Sequence, residues 1–252
     1  MGRLDGRTVI VTGGADGIGV TYAKALAVEG AKVCIADIQS PDAVVAAIKS
    51  AGGHAIGRTC DVTKAVQVAD MVKAAADTFG TVDVLVNNAA VFARLPSVKP
   101  FEQLTQDEWD LALSVNVRGV FECTKAVLPY MRRQGNGKVI NIASGTAFKG
   151  TPGMLHYVAS KGAVVSMTRS LANELGRDNI TCNCIAPGLV MTDAILNQPG
   201  IEHIRGGAID SRFLKRQQKP DDLAGTLIYL ASADSDFVTG QIIVVDGGSV
   251  LH

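Results

Sequence analysis

Strand-like and helix-like runs alternate along this whole chain, and the first of them restricts the kind of sheet they can build. Arg7-Thr8-Val9-Ile10-Val11-Thr12-Gly13 is a β-branched run ending in glycine. It leads through Gly14-Ala15-Asp16-Gly17-Ile18-Gly19 into Val20 to Glu29, which has helical apolar spacing and stops at Gly30. A second strand, Lys32-Val33-Cys34-Ile35-Ala36-Asp37, follows at once. Two strands joined through a helix lie parallel, and a parallel pair needs helices over its faces. The alternation then continues. Strands are expected near Thr8 to Thr12, Lys32 to Asp37, His54 to Asp61, Val82 to Asn87, Lys138 to Ala143, Ile180 to Ala186 and Gln241 to Asp246, with helices in every interval. This is an α/β chain with a doubly wound, seven-stranded parallel sheet and helices on both faces. No Pro/Ser linker or internal repeat divides residues 1–252, so one domain is expected, with the irregular stretch at about 189–219 as a substrate lid.

In such sheets ligands sit beyond the carboxyl ends of the strands, where Gly13, Asp37, Asp61, Asn87, Ser144 and Pro187 fall. The glycine cluster allows a close backbone approach, and the helix start behind it offers open N–H groups to a pyrophosphate. Its spacing, G-x-x-x-G-x-G, departs from the common dinucleotide fingerprint, and Val20 after Gly19 excludes a P-loop. A plain glycine turn is the structural alternative. Asp37 can accept hydrogen bonds from adenosine ribose hydroxyls, although a strand-ending Asp can also cap the segment that begins near Pro41. With Asp16 in the loop and Ile38 and Gln39 following, two acids and no adjacent cation disfavour a 2′-phosphate, so NAD is expected rather than NADP.

The chain has 252 residues, 47% of them hydrophobic, and 24 Lys plus Arg against 24 Asp plus Glu. That describes a soluble globular protein without the basic block that tracks nucleic acid or an anionic membrane. No apolar run is long enough to span a bilayer or preceded by a signal-like segment, and Gly6 breaks the lipidation pattern that Met1-Gly2 suggests. Cys34, Cys60, Cys123, Cys182 and Cys184 lack C-x-x-C spacing and fall in apolar patterns. They read as buried thiols in a reducing cytoplasm, with no metal site expected.

Tyr157-Val158-Ala159-Ser160-Lys161 places a phenol and an ammonium four apart, on one face of a helix. A phenol with a pKa near ~10 needs roughly 3–4 kcal/mol of stabilisation of its anion to exchange protons near pH 7 to 8. A cation about 4 Å away at an effective dielectric of about 20 supplies roughly 4 kcal/mol. Alone, such a pair is more often a surface feature.

Taken together, Thr12 to Gly19, Asp61-Val62, Asn87-Asn88-Ala89-Ala90, Asn116, Ser144, Tyr157 to Lys161, Pro187-Gly188, Thr239-Gly240-Gln241 and Val245-Asp246-Gly247-Gly248 resemble the classical short-chain dehydrogenase/reductase family over essentially the whole chain. The resemblance implies a Rossmann-type domain, hydride exchange at a nicotinamide, a homotetramer, and Asn116, Ser144, Tyr157 and Lys161 as the catalytic set. Tyr157 would move the proton, Ser144 would hold the reacting oxygen, and Lys161 would lower the Tyr157 pKa and bind the nicotinamide ribose. Asn116 would position a water that links Lys161 to solvent. By the same carry-over Asp61 and Val62 meet the adenine, and Gly13, Asp16, Gly17, Ile18, Gly19, Asp37 and Ile38 are expected among the cofactor-binding residues. Asn87 and Ala89 line the channel, Ile185, Ala186, Pro187 and Gly188 with Thr192 hold the carboxamide, and Asn88 and Val190 are further cofactor-binding residues. Ala90 departs from the glycine common in the family, which puts the local backbone in question.

Phe148, Met154, Leu155 and Ile195, with Thr146, Val91, Phe92 and Phe213, are expected around the substrate. Most are apolar and no cation is obviously aimed at the reacting centre, Arg94, Arg205 and Arg212 being placed in irregular segments. The expected reaction is NAD(H)-dependent interconversion of a neutral, hydrophobic or aromatic secondary alcohol and its ketone. Alternatives are an NAD-binding redox-sensing module without turnover, or a dehydrogenase of a polar alcohol of pyridoxal or sugar type. A nucleotide-sugar epimerase would need an extra substrate domain. Leu111, Val115, Phe121, Val127, Val164, Val165, Met167 and Leu171, on helices expected near Thr105 to Arg133 and Tyr157 to Arg177, suggest surface for self-association.

Overall fold

The computed structural model describes residues 2–92, 98–197 and 201–251, with the backbone alone for 201–204. The strands are β1 (Thr8–Thr12), β2 (Lys32–Asp37), β3 (His54–Thr59), β4 (Val84–Asn87), β5 (Gly137–Ile142), β6 (Ile180–Pro187) and β7 (Ile242–Val245). They form one sheet in the order β3-β2-β1-β4-β5-β6-β7, parallel at every pairing. The chain winds outward from β1 to β3 and then in the opposite direction from β4 to β7. The switch point between β1 and β4 opens the crevice expected of such a sheet.

The helices are α1 (Gly17–Val28), α2 (Asp42–Ser50), α3 (Ala65–Phe79), α4 (Gln106–Leu113), α5 (Gly119–Gln134), α6 (Thr146–Lys149), α7 (Leu155–Leu175), α8 (Asp193–Leu196), α9 (Ile201–Asp210) and α10 (Asp221–Ala231). Every interval between strands holds one, as the alternation predicts. Helices α1, α2 and α10 cover one face through Tyr22, Leu26, Val44, Ile48, Leu223 and Leu227. On the other face α3, α5 and α7 bring Met71, Val72, Val127, Met131 and Leu175 against Ile10, Leu85 and Val139. All five residues of β1 are buried because both of its sides are covered. Each fully buried Leu, Ile or Met side chain contributes about 1.5–3 kcal/mol relative to exposure.

Several expected boundaries move. β3 ends at Thr59 because Asp61 turns its carboxylate back to the N–H and hydroxyl of Thr63. β4 begins at Val84, since the Asp83 carboxylate is taken by Thr8 N and Arg7. β5 and β6 run from Gly137 to Ile142 and on to Pro187, and β7 is shorter than expected. The helix expected over Thr105 to Arg133 is interrupted by a π turn at Ser114–Arg118. The described residues of the 189–219 stretch are more regular than their composition suggests. They hold α8 and α9 and a parallel bridge between Val190 and Gln218, with Arg212 donating to the carbonyls of Leu189 and Arg216. Arg94 and the Gln198-Pro199-Gly200 stretch lie outside the described residues.

The apolar residues read as surface for association are largely internal. Val127 and Val164 are fully buried within the protomer and Val165 nearly so, whereas Leu111 and Phe121 remain 44% and 49% exposed. All five cysteines are free and buried. Among the described residues no cluster of metal-ligating side chains occurs, and no helix is long and apolar enough to cross a membrane.

Candidate active site

Beyond the carboxyl ends of the strands lies a cavity of about 1090 Å³. One end is built by the β1–α1 turn. Gly13 and Gly17 have φ of +63° and +54°, a region that side chains other than glycine adopt at a cost, and both line the cavity with Asp16 and Ile18. Asp16 caps α1 through the N–H of Gly17, and the first turn of that helix carries no acid that would repel an anion. Gly19 has a different task from the one expected. It is buried and off the wall, and a methyl there would overlap the carbonyl oxygen of Gly13, so this glycine lets α1 pack onto the turn.

At the same end Asp37 closes β2. Its carboxylate accepts from Ala15 N at 3.0 Å and from Gln39 N at 3.0 Å, which ties the glycine turn to the second strand. Asp37, Ile38, Gln39, Asp61, Val62 and Thr63 share this stretch of wall, and among the described residues it contains no cation. Asn88 and Ala89 also line the cavity. The Asn88 side chain donates to the carbonyls of Thr12 and Gly13, which locks the β4 exit onto the β1 turn. Asn87 is a correction. Its amide points within the sheet to Thr124 and Asn141, away from the channel. Ala90 raises no difficulty, because Asn179 is the non-glycine residue with positive φ among the described residues.

The other end gathers the proton-transfer candidates. Ser144 follows β5, and Tyr157 and Lys161 stand on α7, all three on the cavity wall. Ser144 Oγ accepts from Thr146 N at 3.3 Å and from Thr146 Oγ1 at 3.0 Å, and the same hydroxyl is hydrogen-bonded with the Tyr157 phenol. The Tyr157 ring packs against Phe92, with centroids 4.9 Å apart and planes tilted by 52°. Burial pushes the phenol up to about 12, and the neighbouring Ser144 hydroxyl opposes the rise. The Lys161 ammonium donates to Ile142 O at 2.8 Å and lies 5.8 Å from the Tyr157 ring centre. Burial lowers its pKa to about 8. Burial thus sets the direction of the shift at both groups.

Asn116 lies in the π turn, fully buried behind the wall. Its Oδ1 accepts from Val91 N at 2.9 Å and its Nδ2 donates to Ser160 Oγ at 3.0 Å. Ser160 donates onward to Tyr157 O at 2.7 Å. Pro187, Gly188, Val190, Thr192, Met154, Ile195, Val91 and Thr146 line the cavity. Three substrate candidates do not. Phe148 packs against Ala143, Val164 and Cys184, Leu155 is 45% exposed and Phe213 is 70% exposed. Arg212 of the irregular segment and Asp246 of the closing Val-Asp-Gly-Gly motif also reach the wall, together with Lys149, Ser211 and Ser249, which no sequence pattern singles out.

The arrangement suits a dinucleotide, with acids at one end, a glycine turn and helix start behind the middle, and a buried lysine at the other. Comparison with known proteins agrees. Residues 13–250 match the family described as enoyl-(acyl carrier protein) reductase. The chain is 36% identical to the 3-oxoacyl-[acyl-carrier-protein] reductase FabG of Thermotoga maritima, over 99% of this chain and all of the relative. It is 38% identical to the (2S)-[(R)-hydroxy(phenyl)methyl]succinyl-CoA dehydrogenase subunit BbsD of Thauera aromatica, over 98% of each. A crystal structure of a Sinorhizobium meliloti protein assigned as a short-chain alcohol dehydrogenase superposes with a TM-score of 0.90 at 32% identity, covering 98% of this chain and 97% of the other. With fold, motif order and full-length relatives in agreement, the chain belongs to the short-chain dehydrogenase/reductase family, whose members are oxidoreductases that use a nicotinamide cofactor.

Proposed function

We propose that this single-domain protein interconverts a secondary alcohol and its ketone with NAD(H), the substrate being uncharged and apolar around its reacting carbon. The observation that carries this reading is the meeting of Tyr157, Ser144 and Lys161 on one wall of the cavity whose opposite end carries Asp37. Phe92, Met154 and Ile195 give that wall its apolar surroundings, and the 189–219 segment would close over it as a lid.

Bound nicotinamide would supply the hydride acceptor or donor. Tyr157 Oη would give a proton to the forming alkoxide in reduction and take the carbinol proton in oxidation. A phenol held near 12 is protonated at neutral pH, the form that reduction requires. Ser144, whose Oγ already accepts from Thr146, would donate to the same substrate oxygen where charge develops. Lys161 would bind the nicotinamide ribose and favour the phenolate by its charge, and Asn116 would hold a water on the path from Lys161 to solvent. Asp37 would accept from the adenosine ribose hydroxyls, and the wall around it, without a cation among the described residues, disfavours a 2′-phosphate. Asp61 and Val62 would meet the adenine.

A 3-oxoacyl thioester is a ketone of this kind, and the names of the relatives make it a natural first substrate to try. We also propose a homotetramer, supported by Phe121 left 49% exposed outside the cavity, and a reducing cytoplasm as the compartment, which suits five free thiols. The test is a panel of secondary alcohols, ketones and 3-oxoacyl thioesters followed by NADH and NADPH absorbance. Turnover with NADH supports the reading. Tight NADH binding with no turnover of any carbonyl compound would favour a redox-sensing module instead.

A further inference from the structure

One wall of the cavity carries a cluster of one lysine and two serine hydroxyls that the proton transfer does not use. Lys149 ends α6, the short helix that begins just after Ser144 and Gly145. Its ammonium lies 3.4 Å from Ser211 Oγ and in closer contact with the Ser249 hydroxyl, and the two hydroxyls are 2.5 Å apart. Three stretches distant in sequence thus converge: α6, the turn after α9 and the segment after β7. All three residues line the cavity.

The other cations on the wall are engaged with carbonyls, Lys161 with Ile142 and Arg212 with Leu189 and Arg216. The acid beside the cluster, Asp246, has one carboxylate oxygen on the N–H groups of Gly248 and Ser249 and faces the Arg212 guanidinium. Among the described residues Lys149 meets hydroxyls and no carboxylate. An ammonium flanked by two rotatable hydroxyls is a donor set for an anionic oxygen group. We infer that Lys149, Ser211 and Ser249 form a subsite for a carboxylate or phosphate carried by the substrate away from its carbinol carbon. This rests on the alcohol–ketone reading and adds a charge to the far end of a substrate that is apolar at its centre.

The test compares kcat/KM for three compounds with wild type and with Lys149→Met: a neutral oxo ester, the matching oxo acid with a free terminal carboxylate, and acetoacetyl-CoA as the phosphate-bearing form. Wild type should prefer one of the two anionic forms to the ester, and which one it prefers identifies the source of the anion. The ratio of anionic to neutral kcat/KM should fall about tenfold in Lys149→Met and more weakly in Ser249→Ala, and 0.5 M salt should reduce it in wild type. No preference for either anion, or an equal loss for ester and anion in Lys149→Met, would overturn the subsite. Were none of the compounds turned over, the alcohol–ketone reading would fail while the subsite stayed testable. Inorganic phosphate, compared with chloride at equal ionic strength, should then raise the melting temperature of wild type more than that of Lys149→Met, and equal shifts would refute the subsite.

Discussion

Lys161 directs its ammonium at the carbonyl oxygen of Ile142, 2.8 Å away, and the Tyr157 ring centre lies 5.8 Å from it. A buried ammonium with one neutral acceptor is poorly compensated, and burial lowers its pKa to about 8. At pH 7 the folded chain must keep a charge that the unfolded chain holds in water. A displacement from 10.5 to about 8 corresponds to roughly 3 kcal/mol of opposition to folding at that pH, reduced by the hydrogen bond to Ile142.

Lys161→Met should therefore stabilise the fold while removing turnover. We expect about 1–2 kcal/mol of added stability at pH 7, since the freed Ile142 carbonyl offsets part of the gain. The gain should shrink as pH rises above 8, where the wild-type lysine sheds its proton. Urea denaturation of both proteins at pH 7 and pH 9.5 checks it. A variant less stable than wild type at pH 7 would show that the ammonium is better paired than its contacts indicate.

Tyr157→Phe isolates the proton transfer. The phenyl ring keeps its packing against Phe92 but has no exchangeable proton. Loss of a positioned general acid–base typically costs 10²–10⁴ in rate, so kcat should fall about a thousandfold, with NADH affinity in a fluorescence titration within a few fold of wild type. A variant retaining a tenth of the activity would remove Tyr157 from the proposed role.

What could be read in advance was what depends on neighbours along the chain. Gly13, Asp16 and Asp37 follow from one βαβ unit, and Tyr157 and Lys161 share a helix face by their spacing. The failures come from directions that such rules leave open. Leu155 precedes Tyr157 by two residues, about 200° around the helix, and accordingly faces outward. Asn87 ends β4 as expected, but side chains alternate along a strand, and its amide joins the polar pair with Asn141 inside the sheet. Lys149, Ser211 and Ser249 meet only because α6, the turn after α9 and the last segment dock together, and no local pattern encodes that meeting.

Cofactor choice should respond to the β2 terminus. Asp37→Ala removes a carboxylate that a 2′-phosphate would have to approach, and Ile38→Arg introduces a guanidinium at a position 52% exposed on the cavity wall. The double variant should raise the ratio of kcat/KM for NADP over NAD at least about a hundredfold. Asp37 also ties the glycine turn to β2 through Ala15 N, so NAD affinity should weaken at the same time. Equal use of both cofactors by the wild type would contradict the electrostatic argument from the start.

His156, next to Tyr157 in the chain, should make stability depend on mildly acidic pH. Its ring is buried, and neither nitrogen has a hydrogen-bond partner among the described residues. The charged groups facing it are Glu108 of α4 and Lys99 of the preceding segment, which are paired with each other at 2.6 Å. Burial lowers the His156 pKa below its ordinary 6.5. Glu108 opposes that shift and Lys99 reinforces it. A histidine whose folded pKa is depressed binds its proton more readily in the unfolded chain. Its neutral form thus supports the fold fully above about pH 6.5, and this support is lost progressively as pH falls toward the folded value. Melting temperatures of wild type should drop between pH 7.5 and 5.5 by more than those of His156→Leu, which keeps an apolar group in the site but cannot take a proton. Parallel pH profiles for the two proteins would show that the buried imidazole contributes nothing to the acid sensitivity of this fold.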